Sequence, residues 1–175
     1  KKRWGFCMSH KQRMQLKEGN YDVFIDSKLF DGSLSFGELI IKGELDKEIF
    51  ISTYVCHPSM ANDNLSGLTV TTFIAKWLLS LKKRKYTYRI IFIPETIGSI
   101  AYLKKNFKLM KKNIIAGFNV TCIGDNRAYS YLPSRKGNTL SDLVVKHILK
   151  WIDRSYKSYK WADRGSDERQ YCSPG

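Results

Sequence analysis

A run of strand, loop and helix patterns at residues 48–81 constrains the fold of this chain most strongly. Residues 48–55 are mostly apolar and rich in β-branched and aromatic side chains, which is typical of a strand buried in a sheet. Apolar residues then recur at helical spacing over residues 65–81, and the polar residues 62–64 can cap that helix. A second apolar strand is predicted at residues 89–93.

The rest of the chain continues to alternate between strand and helix patterns. Helical spacing predicts helices at residues 97–109 and 139–152, the second with a continuous apolar face. Strands are predicted at residues 21–26, 34–43, 114–123 and 129–132, with a further alternating run at 156–161. This order favours an α/β fold, a three-layer α/β/α sandwich with a mostly parallel mixed central sheet. The length fits one domain, residues 1–175, with a sizeable core.

Composition bears on partners and on location. The net charge of +14 would suit an anionic partner, but the lysines are spread along the chain and their clusters fall near predicted helix ends. With no nucleic-acid-binding motif, nucleic acid is not the expected partner, and no apolar run is long enough to cross a membrane. The four cysteines lack a pairing pattern, and Cys56 and Cys122 are predicted to be buried thiols, which favours the cytoplasm.

Polar side chains follow three of the predicted strands at the point where each strand ends. His57 and Asp63 follow the first of these strands, Glu95 the second, and Asp125 with Arg127 a later one. Because the carboxyl ends of parallel strands meet at one edge of a sheet, we expect these groups to converge. An imidazole with a carboxylate is a candidate metal site, whereas the alternatives are a helix cap for Asp63 and ordinary loop positions for the others.

The order of four segments resembles the zinc aminopeptidase superfamily, the type with two cooperating zinc ions. The segments are residues 57–67, 92–99, 118–125 and 166–171. Within the first of them, the sequence NDNLSG resembles the metal-bridging loop of that superfamily. One branch is closer still, the bacterial aminopeptidase-like proteins associated with polysaccharide biosynthesis, on the evidence of residues 4–7, 94–99 and 166–175. The resemblance covers essentially the whole chain.

The resemblance implies a site for one or two zinc ions. His57 and Asp63 match a ligand and the bridging ligand, and the peptide bond that follows Asp63 is expected to be cis. Glu95 stands alone where the superfamily has two glutamates, so it is expected to be the general base, a ligand, or both. Thr121 stands where a further Asp ligand is usual. The last His ligand of the superfamily lies beyond the Ser-Asp loop, so it is expected beyond Gly175, and both ends of the chain look cut from a longer protein.

Other residues are candidates by chemical type. Asp125 can replace the missing Asp ligand, and His10 and His147 are histidines that match no motif. Five polar residues in loops are candidate contacts for a substrate carboxylate or sugar: Arg127, Tyr129, Asp167, Glu168 and Arg169. The last three can equally form a cluster of surface salt bridges.

These features predict a zinc-dependent hydrolase of the aminopeptidase type. Its substrate would be a small peptide or an amino sugar, cleaved at an N-terminal peptide bond or an N-acyl group in surface-polysaccharide biosynthesis. Thr121 and the single Glu95 depart from the superfamily pattern, so the alternative is a degenerate module of the same fold that binds a ligand without catalysis. A basic nucleic-acid-binding domain is a third interpretation, which rests on charge alone.

Overall fold

The computed structural model describes residues 5–163 and 165–172 and divides the chain into two compact units. The first unit, residues 1–32, contains helix α1 (His10–Gln15), and its N-cap Ser9 accepts a hydrogen bond from the backbone N–H of Gln12. The predicted strand at residues 21–26 is wrong, because these residues have no regular structure. An alternating pattern forms a strand only beside a partner strand, and no described residue pairs with this segment.

The second unit, residues 33–175, is built around a four-stranded mixed sheet. Its strands are β1 (Gly37–Ile41), β2 (Leu45–Val55), β3 (Tyr86–Pro94) and β4 (Ile114–Asn119), in the spatial order β1-β3-β2-β4. Strand β2 is parallel to both β3 and β4, whereas β1 is antiparallel to β3. A small parallel sheet pairs β5 (Ser130–Tyr131) with β6 (Lys157–Ser158). The predicted α/β class with a mixed sheet is confirmed.

Helices connect these strands. They are α2 (Leu65–Ser80), α3 (Ile97–Asn113), α4 (Leu140–Ile152) and α5 (Glu168–Tyr171). Helices α2, α3 and α4 agree with the predicted ones, with α3 longer than expected. Strand β4 ends at Asn119, before the predicted residue 123, and Cys122 in the predicted remainder has a φ of 52°, outside the extended region. Within the described ranges, no helix has the length and apolar character needed to cross a membrane.

Two hydrophobic clusters lie on opposite faces of the sheet. One contains Ile41, Ile51, Ala75, Leu78 and Ile90, and the other contains Phe50, Ile91, Ile93, Tyr102 and Met110. Neighbouring residues of a strand point to opposite faces of the sheet, so Phe50 and Ile51 belong to different clusters, as do Ile90 and Ile91. Helix α2 therefore covers one face of the sheet and helix α3 covers the other.

A buried charged group accompanies the second cluster. Arg89 on β3 binds Glu48 on β2 through two hydrogen bonds, with Nε 2.6 Å from Oε2 and Nη2 3.0 Å from Oε1. Its Nη1 also donates to Glu38 Oε1 at 2.8 Å and to the Tyr102 hydroxyl at 3.0 Å. Arg89 and Glu48 are both buried, so each charge depends on the other for its compensation.

Helix α4 is attached through a polar residue rather than through its apolar face. The large apolar residues Leu140, Leu143, Val144, Ile148, Trp151 and Ile152 are exposed. The buried residue of α4 is Asp142, whose carboxylate accepts hydrogen bonds from Tyr131, from the amide and hydroxyl of Ser134, and from those of Thr139. Burial raises the pKa of Asp142, but these hydrogen bonds outweigh it and hold that pKa below its usual range.

Candidate functional site

The parallel register of β2, β3 and β4 brings three strand ends to one edge of the sheet. Val55, the last residue of β2, lies opposite Pro94, the last residue of β3, and the Glu95 amide donates to the Val55 carbonyl at 3.3 Å. Ser52 lies opposite Asn119, the last residue of β4. The loops that follow these strands therefore leave the sheet side by side, which is the arrangement expected from the sequence.

The loop after β2 is anchored by Asn64, which is fully buried. Its Nδ2 donates to the Thr53 hydroxyl at 2.9 Å and to the Tyr54 carbonyl at 3.0 Å, and its Oδ1 accepts from the Cys122 amide at 3.1 Å. The peptide bond between Asp63 and Asn64 is cis, so that expectation is confirmed. Asn64 is the N-cap of α2, so the Asp63 carboxylate is not consumed as a helix cap.

The Ser-Gly pair of the NDNLSG sequence packs against the segment that follows β4. A Cβ at Gly67 would lie 2.4 Å from the Val120 carbonyl oxygen and 2.4 Å from Asn64 Oδ1, so only glycine fits there. The Ser66 hydroxyl donates to the Asn62 carbonyl at 2.6 Å and accepts from the Ile123 amide at 3.1 Å. The motif thus fixes the start of α2 against the segment that follows β4.

His57 and Asp63 face each other at the end of β2. His57 Nε2 is 3.8 Å from Asp63 Oδ2, and their side chains are 47% and 54% exposed, so an ion or a substrate can reach both. Cys56 lies beside them: one ligand atom from each of Cys56, His57 and Asp63 falls within 4.8 Å of the others. Nitrogen, oxygen and sulfur donors in this combination suit zinc.

The Asp63 carboxylate is held by a chain of two hydroxyl groups. The buried Tyr54 hydroxyl donates to Asp63 Oδ1 at 2.7 Å, and the Thr121 hydroxyl donates to the Tyr54 oxygen at 2.6 Å. Burial raises the pKa of Tyr54, which keeps the phenol protonated as a donor to Asp63, even though the Thr121 hydrogen bond opposes this shift. Thr121, which stands where the resembled superfamily has an Asp ligand, therefore supports the Asp63 carboxylate through Tyr54.

Glu95 follows β3 and is bound by the segment that leads into α5. The Ser166 hydroxyl donates to Glu95 Oε1 at 2.5 Å, and no other hydrogen bond reaches this carboxylate from the described residues. Burial, together with the charges of Asp63 and Glu95, raises the pKa of the Cys56 thiol against a hydrogen bond from the His57 backbone. Glu95 thus contributes negative charge to the cluster formed by Cys56, His57 and Asp63.

Comparison with known proteins assigns the family. A family described as "Domain of unknown function (DUF4910)" matches residues 14–175. This chain belongs to the DUF4910 family. It is 46% identical over its 175 residues to a Clostridium acetobutylicum protein named as a polysaccharide biosynthesis protein with an aminopeptidase-like domain, and it spans 40% of that protein's length. The crystal structure of a protein from the same organism, named as a peptidase, covers 99% of this chain with a TM-score of 0.83 at 46% identity, and the chain spans 41% of it.

The residues predicted to bind substrate occupy different surroundings in this DUF4910 chain. Asp167 is fully buried and accepts hydrogen bonds from the Thr96 amide at 2.7 Å and the Ser99 hydroxyl at 3.0 Å, so it fastens the segment before α5 to the end of β3. Burial raises the pKa of Asp167 against these hydrogen bonds. Glu168 accepts from the Ser166 amide at 2.7 Å and from Asn119 Nδ2 at 3.0 Å.

The other three predicted residues are Arg127, Tyr129 and Arg169, and their surroundings differ. The side chain of Arg127 is 86% exposed and pairs with Asp125, with Nη2 2.5 Å from Oδ2, and this pairing lowers the pKa of Asp125 to about 2. Tyr129 is exposed, and Arg169 lies over the ring of Trp161 with its guanidinium carbon 5.3 Å from the ring centroid.

The remaining histidines and cysteines differ from expectation in part. His10 lies in α1 of the first unit, 3.4 Å from Arg13 Nη2, and His147 is exposed on α4 beside Trp151. Cys56 and Cys122 are half-buried rather than buried, because the strands end before both positions. Cys56, which lies beside His57 and Asp63, was not predicted as a site residue, although its place directly before His57 at a strand end was a visible signal.

Proposed function

We propose that this DUF4910 domain is a zinc-dependent hydrolase of the aminopeptidase type, built on a three-layer α/β/α sandwich of the zinc-peptidase kind. The observation that carries the proposal is the His57–Asp63 pair, which follows the end of β2, where the Glu95 amide also bonds to Val55. Two ligands of a tetrahedral zinc ion lie about 3.3–3.5 Å apart, given bond lengths near 2.0–2.2 Å. The His57–Asp63 separation of 3.8 Å needs only a small closure to reach that value. The aminopeptidase-like and peptidase names of the two relatives agree with this reaction class.

His57 and Asp63 would hold one or two zinc ions, with a last His ligand beyond Gly175. Zinc supplies Lewis-acid chemistry that brings the pKa of a water molecule close to neutral. Glu95 is suited to accept the proton of the attacking water, because Ser166 occupies only its Oε1. The water oxygen then bonds to the carbonyl carbon, the C–N bond breaks, and Glu95 returns the proton to the leaving nitrogen.

The proposed substrate is a small peptide or an amino sugar, cleaved at an N-terminal peptide bond or an N-acyl group during surface-polysaccharide biosynthesis. Arg127, Tyr129, Glu168 and Arg169 are the proposed contacts for its carboxylate or hydroxyl groups, with Asp167 holding the loop that carries the last two. A cytoplasmic location is part of the proposal, because a reducing compartment suits four cysteines that lack a pairing pattern.

A binding module without catalysis is the second candidate, and the surroundings of Thr121 favour it. Thr121 has no carboxylate, and its hydroxyl donates to Tyr54, so this position does not replace the Asp ligand of the superfamily. A site with fewer ligands than the superfamily can keep the fold and the ligand pocket while losing turnover.

Exchanging Glu95 for glutamine separates the two candidates. Glu95→Gln in the full-length protein should lower turnover about 10²–10⁴-fold, since that is the usual contribution of a positioned general base. Turnover and zinc content are measured together, on a panel of aminoacyl and N-acyl-sugar substrates. Glu44→Gln, at an exposed position before β2, is the matched control. Unchanged kinetics on a substrate that the wild type cleaves would refute the catalytic role and favour the binding module.

A further inference from the structure

The thiol of Cys56 has a place in the metal cluster that the superfamily pattern does not assign. Cys56 and His57 are adjacent where the chain leaves β2, and the loop returns so that Asp63 meets them. One ligand atom from each of the three residues lies within 4.8 Å of the other two. In a tetrahedral shell with Zn–S near 2.3 Å and Zn–N near 2.0–2.1 Å, neighbouring ligand atoms lie about 3.3–3.8 Å apart. Closing the cluster around an ion therefore requires shifts of about 1 Å or less.

The surroundings of Cys56 favour a cation over an inert thiol. Its sulfur lies within 4.8 Å of a ring nitrogen of His57 and of a carboxylate oxygen of Asp63, both of which are donors to metals in proteins. A divalent ion between these donors would balance the charges of the Asp63 carboxylate and the Cys56 thiolate. Cys56 is half-buried and His57 and Asp63 are exposed, so the ion has an open path to the site.

We propose that Cys56 is the third protein ligand of the metal held by His57 and Asp63, which makes the centre a Cys-His-Asp site. The inference rests on the proposed function, because it needs a metal at the His57–Asp63 pair. A catalytic zinc ion typically has three protein ligands and one open position, so the His ligand proposed beyond Gly175 would belong to a second ion. With Cys56 as the third ligand, Glu95 remains available as the general base and Thr121 can support Tyr54 instead of binding metal. A thiolate also selects soft ions such as zinc over magnesium, calcium or manganese.

Cobalt provides a direct test, because a thiolate bound to Co²⁺ produces a charge-transfer absorption band in the near ultraviolet. The full-length protein is freed of metal with a chelator and titrated with Co²⁺. The wild type should show this band, and Cys56→Ser should lose it and bind zinc more than about 100-fold less tightly, beyond the 10–100-fold loss typical of an outer-shell change. Cys7→Ser, at an exposed cysteine of the first unit, is the matched control and should keep both.

The outcomes separate this inference from the proposed function. Cobalt that binds to the wild type without a thiolate band, or a band that survives in Cys56→Ser, would overturn the Cys56 assignment and leave the His57–Asp63 site in place. Absence of binding in the wild type would overturn both proposals.

A second measurement uses the wild-type protein, so it does not depend on the folding of any variant. Zinc should slow alkylation of Cys56 by iodoacetamide, followed by peptide mass spectrometry, while Cys7 should react at the same rate with and without zinc. Equal alkylation of Cys56 in both states would contradict the inference.

Discussion

Replacing Tyr54 with phenylalanine should weaken zinc binding without removing any ligand. The Tyr54 hydroxyl donates to Asp63 Oδ1 at 2.7 Å, and this hydrogen bond fixes the direction in which the other oxygen, Oδ2, faces His57. In Tyr54→Phe the carboxylate loses this donor, and the Thr121 hydroxyl loses its acceptor. Asp63 is then free to rotate away from the position in which, as proposed, it would bind metal with His57.

The size of the effect follows from the type of hydrogen bond. A hydrogen bond to a charged group contributes about 1.5–3 kcal/mol, and each 1.4 kcal/mol is a factor of ten in affinity. Loss of an outer-shell partner of a metal ligand usually lowers metal affinity about 10–100-fold, which is the same range. We therefore expect Tyr54→Phe to raise the dissociation constant for zinc about 10–100-fold.

The assay is competition for zinc with a chromophoric chelator at pH 7, using the full-length protein. Tyr129→Phe removes the same hydroxyl from an exposed tyrosine and should leave the affinity unchanged. Thr121→Val should lower the affinity less than Tyr54→Phe does, because the bond from Tyr54 to Asp63 remains. Circular dichroism checks that each variant is folded. If Tyr54→Phe is folded and its zinc affinity stays within a factor of about two of the wild type, Tyr54 does not orient a ligand and the argument is wrong.

Two further predictions concern stability and are measured by urea unfolding. Arg89→Met should lower the free energy of unfolding by about 3–5 kcal/mol, because Glu48 is left as a buried, uncompensated charge. The double variant Arg89→Met/Glu48→Met should recover most of that loss, and a double variant as unstable as the single one would contradict the explanation. Asp142→Asn should cost about 1–3 kcal/mol at pH 7, because buried donors lose their charged acceptor. The pKa of Asp142 is lowered in the folded state, so its contribution is complete above the unfolded value of about 4 and is lost as the pH falls further. The difference between wild type and Asp142→Asn should therefore shrink from pH 5 towards pH 3, and a constant difference would refute the role assigned to the carboxylate.

Local patterns were enough to predict most of the helices and the central strands. Strands β2 and β3 are apolar because both faces of the sheet are covered, and helix α4 shows the spacing of an amphipathic helix. The pattern at residues 21–26 is equally regular but forms no strand, because a strand also needs a partner to complete its hydrogen bonds. The spacing of its apolar residues predicted the apolar face of α4 correctly. The spacing could not predict that this face is exposed, because burial depends on the elements that pack beside the helix.

The pairing of strands lay outside the reach of such patterns. Strand β1 precedes β2 in sequence but pairs with β3. Strand β3 therefore lies between β1 and β2, although it follows both of them in the chain. A strand's own side chains report that it is buried, but they do not report which strand lies beside it. That choice results from the packing of the whole sheet between helices α2 and α3.

The site divides in the same way. His57, Asp63 and Glu95 could be named from the sequence because their motifs lie next to strand ends, and the order of those motifs is retained along the chain. The hydrogen-bond partners of the site could not be predicted from the sequence, because they are distant in the chain. Tyr54 and Thr121 are separated by 67 positions, and Glu95 and Ser166 by 71. Such contacts are created by the parallel register of β2, β3 and β4, a property of the folded sheet that no single segment encodes. The local sequence thus determines which chemical groups the site contains. Their orientation and charge environment arise only when distant segments come together in the folded sheet.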